Sequence, residues 1–127
     1  AIYSAPSLAE IDARLKAHDS AWATEAAKVF AQRSPLMMHV VLEQIRRARH
    51  MSLEDELRME RDMVRHCFHL RPGTASETVE GVRALVIDKD NTPRWNPTTI
   101  GEVDEAMVQA FFVSPWPAAM HPLRHWL

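Results

Sequence analysis

Glu80-Gly-Val-Arg-Ala-Leu-Val-Ile-Asp-Lys-Asp90 is the stretch that decides the fold of this 127-residue sequence. Together with Val79, its apolar residues recur at i, i+3, i+6 and i+7, which is typical of one face of a helix. We therefore predict a helix over residues 76–88, despite the glycine at position 81. Residues 84–87 could instead form a buried strand, because periodicity does not separate a short helical run from a strand.

Capping signals predict two helices near the N-terminus. Ser7, with Glu10 three residues later, forms a capping box, so the first helix is predicted over residues 8–17. Asp19 is the expected N-cap of the second helix. Together they would form a helical hairpin over residues 1–33.

Three further helices are predicted around the opening stretch. Ser34 and Pro35 fit the N-cap and first residue of a third helix, and Ser52 is the expected cap of a fourth helix that reaches about residue 70. A last helix is predicted near residues 103–112. The apolar stripes predicted to face the core are Leu8, Ile11 and Leu15; Trp22, Ala26, Val29 and Phe30; Met38, Val41, Leu42 and Ile45; Leu53, Leu57, Val64, Cys67 and Phe68; and Met107, Val108, Phe111 and Phe112.

These elements predict an all-α fold of five to six short amphipathic helices, because no alternating strand pattern is convincing. The length suits one domain, since domains typically hold ~100 to 150 residues. We divide the chain into the hairpin over residues 1–33, central helices over 34–95 and an extension over 96–127. Prolines interrupt the apolar end of the extension, which looks suited to lie against another surface.

Charge and hydropathy exclude two kinds of partner. The formal net charge of -2 and the pI near 6.4 give no overall cationic field, so neither nucleic acid nor an anionic membrane surface is an expected partner. No apolar run approaches the ~20 residues that a membrane-spanning helix needs.

The cysteine and glycine content limits the compartment and the kinds of binding site that this protein is expected to have. The single cysteine, Cys67, excludes an internal disulfide and fits a reducing compartment, so a cytoplasmic location is expected. None of the three glycines lies in a pattern typical of phosphate-binding loops. Ala1 in place of an initiator methionine favours a piece of a longer protein.

Residues 80–90, with Pro93 and Trp95 beyond them, resemble the closing segment of the crotonase (enoyl-CoA hydratase/isomerase) superfamily. The Val-Arg-Ala and Asp-Lys-Asp parts are most similar to its 3-hydroxyisobutyryl-CoA hydrolase branch, which belongs to valine degradation. Ser34-Pro35 and Glu60 match helical positions of the same family. The resemblance therefore covers nearly the whole chain, in order.

The resemblance implies the C-terminal helical region of an acyl-CoA thioester hydrolase or an enoyl-CoA hydratase/isomerase. The family's reacting carboxylates and oxyanion-hole amides belong to a preceding sheet-containing core, so the chain alone is expected to be inactive. No catalytic residue, metal ligand or cofactor is assigned. The implied partners are an acyl-CoA substrate and the protein's own N-terminal crotonase core. Self-association through Trp116 and Trp126 is also predicted, because exposed apolar surface favours association.

Lys89 is the one residue that the resemblance assigns to substrate or coenzyme A binding. The matching family segment lies near the mouth of the coenzyme A pocket, where a lysine can meet a phosphate as a compact cation. The more ordinary interpretation is a surface lysine that Asp88 and Asp90 neutralise locally. Many hydratases carry Lys-Arg where this chain has Asp88-Lys89, which favours the hydrolase branch.

Two other charged features have simpler explanations. Glu60 would lie on the apolar stripe of the fourth helix, where burial could make it an acid or base, but a structural pair with an arginine of the third helix is favoured. The Arg46, Arg47 and Arg49 cluster could contact phosphates. Charge complementing the third helix's C-terminus is the favoured explanation.

A zinc site is weighed and rejected. His66 and His69 bracket Cys67, and His121 and His125 lie four residues apart. Structural zinc wants four converging ligands, whereas these side chains are expected to point in different directions.

A stand-alone helical protein-interaction module is the alternative function. Its apolar tail would dock onto a partner. If the gene upstream of Ala1 encodes no crotonase core, the enzyme interpretation fails.

Overall fold

The computed structural model describes residues 1–125, and helices form all of their regular structure. Helix makes up 67% of the structure and no strand occurs in this described part, so the all-α prediction is confirmed. The α-helices are α1 (Leu8–Ala17), α2 (Ala21–Gln32), α3 (Pro35–Ala48), α4 (Leu53–His69), α5 (Glu77–Val82) and α6 (Glu105–Gln109). Short 3-10 turns lie at Ile2–Ser4, Gly73–Ala75, Ile100–Glu102, Ala110–Phe112 and Ala118–Met120, and a π-helical turn, Arg83–Ile87, continues α5. Within residues 1–125, no helix has the length and apolar character needed to cross a bilayer.

Each α-helix begins at a capping side chain. The caps are Ser7, Ser20, Ser34, Ser52, Ser76 and Asp104. Three of them, Ser7, Ser34 and Ser52, are the predicted caps. The prediction of Asp19 for α2 is wrong, because the extended backbone continues to Ser20, whose Oγ accepts a hydrogen bond from the Ala23 N–H at 3.2 Å.

Residues 76–88 are helical as predicted, and the alternative of a strand at 84–87 is wrong. The helix widens in the π-helical turn, where the Asp88 N–H donates to the Arg83 carbonyl oxygen at 2.8 Å. A Cβ atom at Gly81 would lie 3.2 Å from the Trp95 ring. The glycine therefore permits Trp95 to pack closely against α5.

Two apolar clusters hold the helices together. The first contains Ala5, Leu8, Ile11 and Leu15, with Ala26, Phe30 and Met38 packed against it. The second contains Leu36 and Val40 of α3, Met59 and Met63 of α4, and Val108 and Phe111 of the last helical segment. The stripe predicted for α1 is thus confirmed at every position.

The stripes predicted for α3 and α4 are only partly correct as core faces. Met38 and Leu42 of α3 pack against the first cluster and Cys67 of α4 packs against the second, whereas five members of the two stripes are exposed. The exposed members, with the exposed fraction of each, are Val41 (46%) and Ile45 (49%) on α3, and Leu53 (68%), Val64 (53%) and Phe68 (49%) on α4. We call these five residues the open stripes. Both helices carry apolar residues on more than one side, and the chain buries the other side in the second cluster. In α2, the predicted core residues Trp22 and Val29 are exposed as well.

The end of the extension packs against α4, as its apolar character predicts. The His66 ring Nε2 lies 2.6 Å from the Val113 carbonyl oxygen, and the Arg61 guanidinium lies 4.9 Å from the centre of the Trp116 ring. Trp116 is therefore partly covered within its own chain. Trp126 lies outside the described residues, so self-association through these tryptophans stays a prediction.

Candidate functional site

A groove of about 1110 Å³ opens between α3 and the opposing wall formed by α5 and its π-helical turn. Its residues include Met38, Val41 and Ile45 on the α3 side, and Val82, Leu85 and Val86 on the other. The size is comparable to that of ligand pockets, which occupy ~300 to 1,000 Å³. The groove can therefore accept a long, largely apolar ligand or the apolar surface of another polypeptide.

The π-helical turn leaves three consecutive apolar side chains at the surface. Leu85, Val86 and Ile87 are 68%, 58% and 69% exposed. Burying such a side chain stabilises a protein by roughly 1.5–3 kcal/mol. These three side chains do not contribute this stabilisation while they are exposed. Exposed apolar residues that are contiguous are typical of interaction or ligand-binding surfaces.

A buried carboxylate fixes the two walls of the groove to each other. Ser34, the cap of α3, donates its hydroxyl to Glu77 Oε2 at 2.5 Å, and the Asn96 N–H donates to Glu77 Oε1 at 2.9 Å. The same hydroxyl oxygen accepts from the Met37 N–H at 3.2 Å. Both oxygens of this carboxylate are thus occupied, which makes Glu77 a structural tie between α3, α5 and the following loop.

Arg83 is the centre of a second polar group, which we call the Arg83 cluster and define as Arg83, Glu80, Asp88 and Asp90. The guanidinium donates to both oxygens of Glu80, at 2.9 and 2.8 Å, and to Oδ2 of Asp88 and of Asp90, each at 2.7 Å. It also donates to the Thr92 carbonyl oxygen at 3.3 Å. One cation therefore holds the end of α5 and the loop over residues 88–92 together.

Within the Arg83 cluster, Arg83, Glu80 and Asp90 have shifted pKa values. The Arg83 guanidinium, helped by the Arg94 N–H, lowers the pKa of Glu80 to about 2. Arg83, helped by the Thr92 N–H, also lowers the pKa of Asp90 to about 2, and these carboxylates raise the pKa of Arg83 above its usual range. Glu80, Asp90 and Arg83 are therefore charged at neutral pH.

Lys89 lies at the surface in the middle of the loop that Arg83 organises. Its φ is 55°, in the left-handed region that non-glycine residues rarely adopt. Asp88 and Asp90, expected to neutralise it, both bond to Arg83 instead. Val86 and Asn91, on either side of Lys89 in the sequence, line the groove. The structure thus places this lysine beside the groove, and its role in substrate binding stays a prediction.

Glu60 is exposed on α4, so the prediction that it lies on a buried stripe is wrong. The expected arginine partner from α3 is replaced by Gln44, whose Nε2 donates to Glu60 Oε1 at 3.1 Å. An exposed carboxylate bonded to one amide lacks the desolvation that would make it an acid or base, and we assign it no catalytic role.

The arginines near the end of α3 are used within the fold. Arg47 donates to Glu43 at 2.7 Å and to Gln109, and its guanidinium lies 4.2 Å from the centre of the Phe112 ring. The bond from Arg47 lowers the pKa of Glu43. Arg46 donates to the Pro6 carbonyl oxygen. These bonds supply a structural explanation for Arg46 and Arg47, and the favoured role of the cluster, complementing the C-terminus of α3, stays a prediction.

Two of the histidines weighed as zinc ligands, His66 and His121, have separate partners. Cys67 is half-buried, which raises the pKa of its thiol. His66 contacts Val113, whereas the His121 ring bonds to Asp62. Within residues 1–125, no group of three or more His, Cys, Asp or Glu side chains is arranged to hold a metal ion.

The sequence did not single out the buried pair of Asp62 and His121. The His121 ring Nε2 lies 3.0 Å from Asp62 Oδ1, and its Nδ1 accepts from the Leu123 N–H at 3.0 Å, which makes Nε2 the donor. The two residues lie 59 positions apart, so no local pattern could reveal the pair. By contrast, the spacing of Glu80 and Arg83 on one helical face was available in the sequence.

Comparison with known proteins places these features in a family. The family model described as enoyl-CoA hydratase/isomerase matches residues 1–112. The chain is 38% identical over 91 residues to 3-hydroxyisobutyryl-CoA hydrolase-like protein 5 of Arabidopsis thaliana, covering 72% of this chain and 23% of that protein. It is 35% identical over 113 residues to the mitochondrial 3-hydroxyisobutyryl-CoA hydrolase of Danio rerio, covering 89% of this chain and 28% of that protein.

A solved structure supports the same relationship. The crystal structure of a carnitinyl-CoA dehydratase from Mycobacterium thermoresistibile matches with a TM-score of 0.73 and 41% sequence identity, covering 90% of this chain and 32% of that one.

The chain spans about a quarter of the length of the curated relatives it matches, and it matches their C-terminal part. The crotonase resemblance, closest to the 3-hydroxyisobutyryl-CoA hydrolase branch, is confirmed. With a matching model over most of its length and a structural relative of the same superfamily, this chain belongs to the enoyl-CoA hydratase/isomerase family.

Proposed function

We propose that this chain is the C-terminal helical region of an acyl-CoA enzyme of the 3-hydroxyisobutyryl-CoA hydrolase or enoyl-CoA hydratase/isomerase type. In this role it walls the acyl-CoA pocket and supports subunit contacts. The observation that carries the proposal is the apolar groove of about 1110 Å³ with its exposed π-helical turn. An apolar wall suits this role, because excluding water strengthens the electrostatic interactions that stabilise a reacting thioester.

The polar groups near the groove support an inactive role for the chain alone. Both Glu77 oxygens accept hydrogen bonds, and both Glu80 oxygens bond to Arg83. A general base needs a carboxylate that can reach a water or substrate proton, and these two are already occupied. The reacting groups would be supplied by the protein's own N-terminal crotonase core.

Substrate binding by Lys89 is part of this proposal. The lysine lies beside the groove, and an ammonium group there can meet a phosphate of an acyl-CoA. Self-association, the role in valine degradation and the cytoplasmic location predicted from the single cysteine belong to the same proposal. Each needs its own measurement.

Thioester hydrolysis tests the proposal directly. The chain alone should not hydrolyse 3-hydroxyisobutyryl-CoA, whereas the full-length protein that contains it should hydrolyse this or a related acyl-CoA or hydrate an enoyl-CoA. Deleting residues 1–127 from that protein should abolish the activity. Turnover by the chain alone, or no activity of the full-length protein on any of these thioesters, would contradict the proposal.

The open stripes also fit the alternative function, a stand-alone helical protein-interaction module. Exposed apolar side chains on α3 and α4 are what a docking surface requires. The two functions differ in what the gene encodes before Ala1. A crotonase core there supports the enzyme, and a gene without one supports the interaction module.

A further inference from the structure

The loop over residues 88–92 folds back onto the helix that precedes it. Asp88 and Asp90 bond to the Arg83 guanidinium from one residue before and one residue after Lys89. The Asn91 N–H donates to the Ala84 carbonyl oxygen at 3.0 Å, which fastens the loop to the π-helical turn. The loop is therefore defined by contacts to Arg83 and Ala84.

The backbone of this loop takes an uncommon form. Lys89 and Asn91 have φ values of 55° and 54°. Non-glycine residues keep such values only where surrounding contacts impose them. Here the Thr92 N–H donates to Asp90 Oδ1 at 2.9 Å, and the Asn91 Nδ2 group donates to the Lys89 carbonyl oxygen at 3.3 Å. These bonds within the loop, together with those from Arg83 to Asp88 and Asp90, thus sustain the conformation of Lys89.

This arrangement determines the surroundings of the lysine. Its two neighbouring carboxylates are engaged by Arg83, and Lys89 forms no ion pair with a carboxylate among residues 1–125. The exposed apolar side chains of the π-helical turn lie two to four residues before it in the chain. A cation at the edge of an apolar surface suits a ligand that joins an apolar arm to a phosphate.

We propose that Arg83 is a positioning residue for Lys89: by engaging Asp88 and Asp90, it holds the loop in the form that presents the lysine ammonium to a phosphate of the bound acyl-CoA. This inference rests on the proposed function, because it takes the acyl-CoA as the ligand. Arg83 itself touches no substrate in this account.

The inference predicts an effect on binding and not on chemistry. In this inference the phosphate contact is equally strong in the ground state and the transition state, so its loss raises KM and leaves kcat unchanged. Simple electrostatics predicts the opposite sign for one variant. Removing the Asp90 charge beside a phosphate site should strengthen phosphate binding, whereas loss of positioning should weaken it.

The experiment uses the full-length protein and four variants. Lys89→Asn removes the ammonium and keeps a residue type that tolerates positive φ. Asp90→Asn loosens the loop and keeps Arg83, because substituting Arg83 would also break its two bonds to Glu80 in α5. The double variant tests whether the two act through one contact. Asp55→Asn, at an exposed pair with Arg58 on α4, is the matched control for charge removal.

KM and kcat are measured with 3-hydroxyisobutyryl-CoA and with 3-hydroxyisobutyryl-pantetheine, which lacks the phosphates. With the CoA thioester, Lys89→Asn should raise KM about tenfold, as expected for one charge-assisted hydrogen bond. Asp90→Asn should raise KM in the same direction, and the double variant should be no worse than Lys89→Asn alone. With the pantetheine thioester, none of these variants should change KM. The control, Asp55→Asn, should change KM with neither substrate.

The possible outcomes separate the two proposals. If Lys89→Asn raises KM but Asp90→Asn lowers it or leaves it unchanged, the positioning role is overturned and substrate binding by Lys89 stands. If KM is indifferent to Lys89→Asn in an active enzyme, both the positioning role and the lysine contact are overturned. If the unmodified full-length protein has no activity on any acyl-CoA, the proposed function fails and this inference fails with it.

Discussion

Helices α1 and α4 follow the same amphipathic rule in sequence and reach opposite results in the structure. The stripe predicted for α1 is buried at Leu8, Ile11 and Leu15, whereas Leu53, Val64 and Phe68 of α4 lie at the surface. The partner surface for α1 is supplied by α2 and the start of α3 within the chain. For α4, the described chain instead covers a neighbouring face of the helix, where Met59, Met63 and Cys67 meet the second cluster. An amphipathic stripe therefore identifies a surface meant for contact but not the molecule that provides the contact.

The largest expected effect contrasts two leucines of these helices. Leu15→Ala should lower the free energy of unfolding of the chain by about 2–5 kcal/mol, because Leu15 is 1% exposed and its truncation leaves a cavity. Leu53→Ala should change it by no more than about 0.5 kcal/mol, as is usual at exposed positions. Urea unfolding of both variants measures the difference. Equal losses would contradict the contrast between α1 and α4.

The buried side of α4 provides the next test. Asp62→Ala leaves the His121 ring nitrogen without its acceptor in a buried place, which should cost about 1–3 kcal/mol. The control, Asp55→Ala, removes an exposed partner of Arg58 on the same helix and should cost about 0–1 kcal/mol. If thermal unfolding shows no larger loss for Asp62→Ala, the end of the extension contributes little to the stability of α4.

Acid should weaken the Arg83 cluster, because ion pairs hold it together. It should not weaken the apolar cluster around α1. The pKa values of Glu80 and Asp90 are about 2 in the folded chain, below their ordinary values of 4.5 and 3.8. A carboxyl with a lowered pKa stabilises the fold above its unfolded-state pKa, and this stabilisation is lost as pH falls through the folded-state pKa. Tm should therefore fall as pH decreases from about 4.5 to about 2.

Glu80→Gln is the variant that isolates this effect. It should lower Tm at neutral pH and reduce the fall of Tm in acid. The control, Glu25→Gln on the exposed surface of α2, should leave the fall of Tm in acid unchanged. A profile for Glu80→Gln with the same fall as the unmodified chain would show that Glu80 does not contribute to the acid sensitivity.

The smallest effect on stability is expected at the open stripes. Phe68→Ser should change the free energy of unfolding by no more than about 0.5 kcal/mol, because Phe68 is half exposed. It should nevertheless reduce self-association of the isolated chain, which light scattering can follow with concentration. A strictly monomeric chain before and after the substitution would contradict the prediction of self-association.

Local signals explain what could be predicted from the sequence. Ser7, Ser34 and Ser52 act over three residues, so their caps are visible without knowledge of the fold. The helix over residues 76–88 followed from its apolar spacing, and the resemblance of residues 80–95 gave the family. The buried face of α3 and α4 could not be chosen in this way, because the choice depends on which neighbouring surfaces the chain itself provides.

The polar contacts of the site also divide into those that are local in the sequence and those that join distant positions. Arg83 bonds to residues between three positions before it and nine positions after it, so the whole cluster lies within one short segment. Glu77 bonds to Ser34 across 43 positions, and Asp62 meets His121 across 59. Contacts over such distances depend on the complete fold. No local pattern in the sequence predicts them.

Accessibility of Ile45 in the full-length protein tests the proposed function most directly, because a C-terminal region of a larger enzyme should have its open stripes covered by the catalytic core. The probe is Ile45→Cys in a Cys67→Ala background, because position 45 lies on the open stripe of α3 and lines the groove. Glu25→Cys in the same background is the exposed control. Thiol labelling at position 45 should be rapid in the isolated chain and at least about tenfold slower in the full-length protein, with no change at position 25. Equal labelling rates at position 45 in the two proteins would contradict the account.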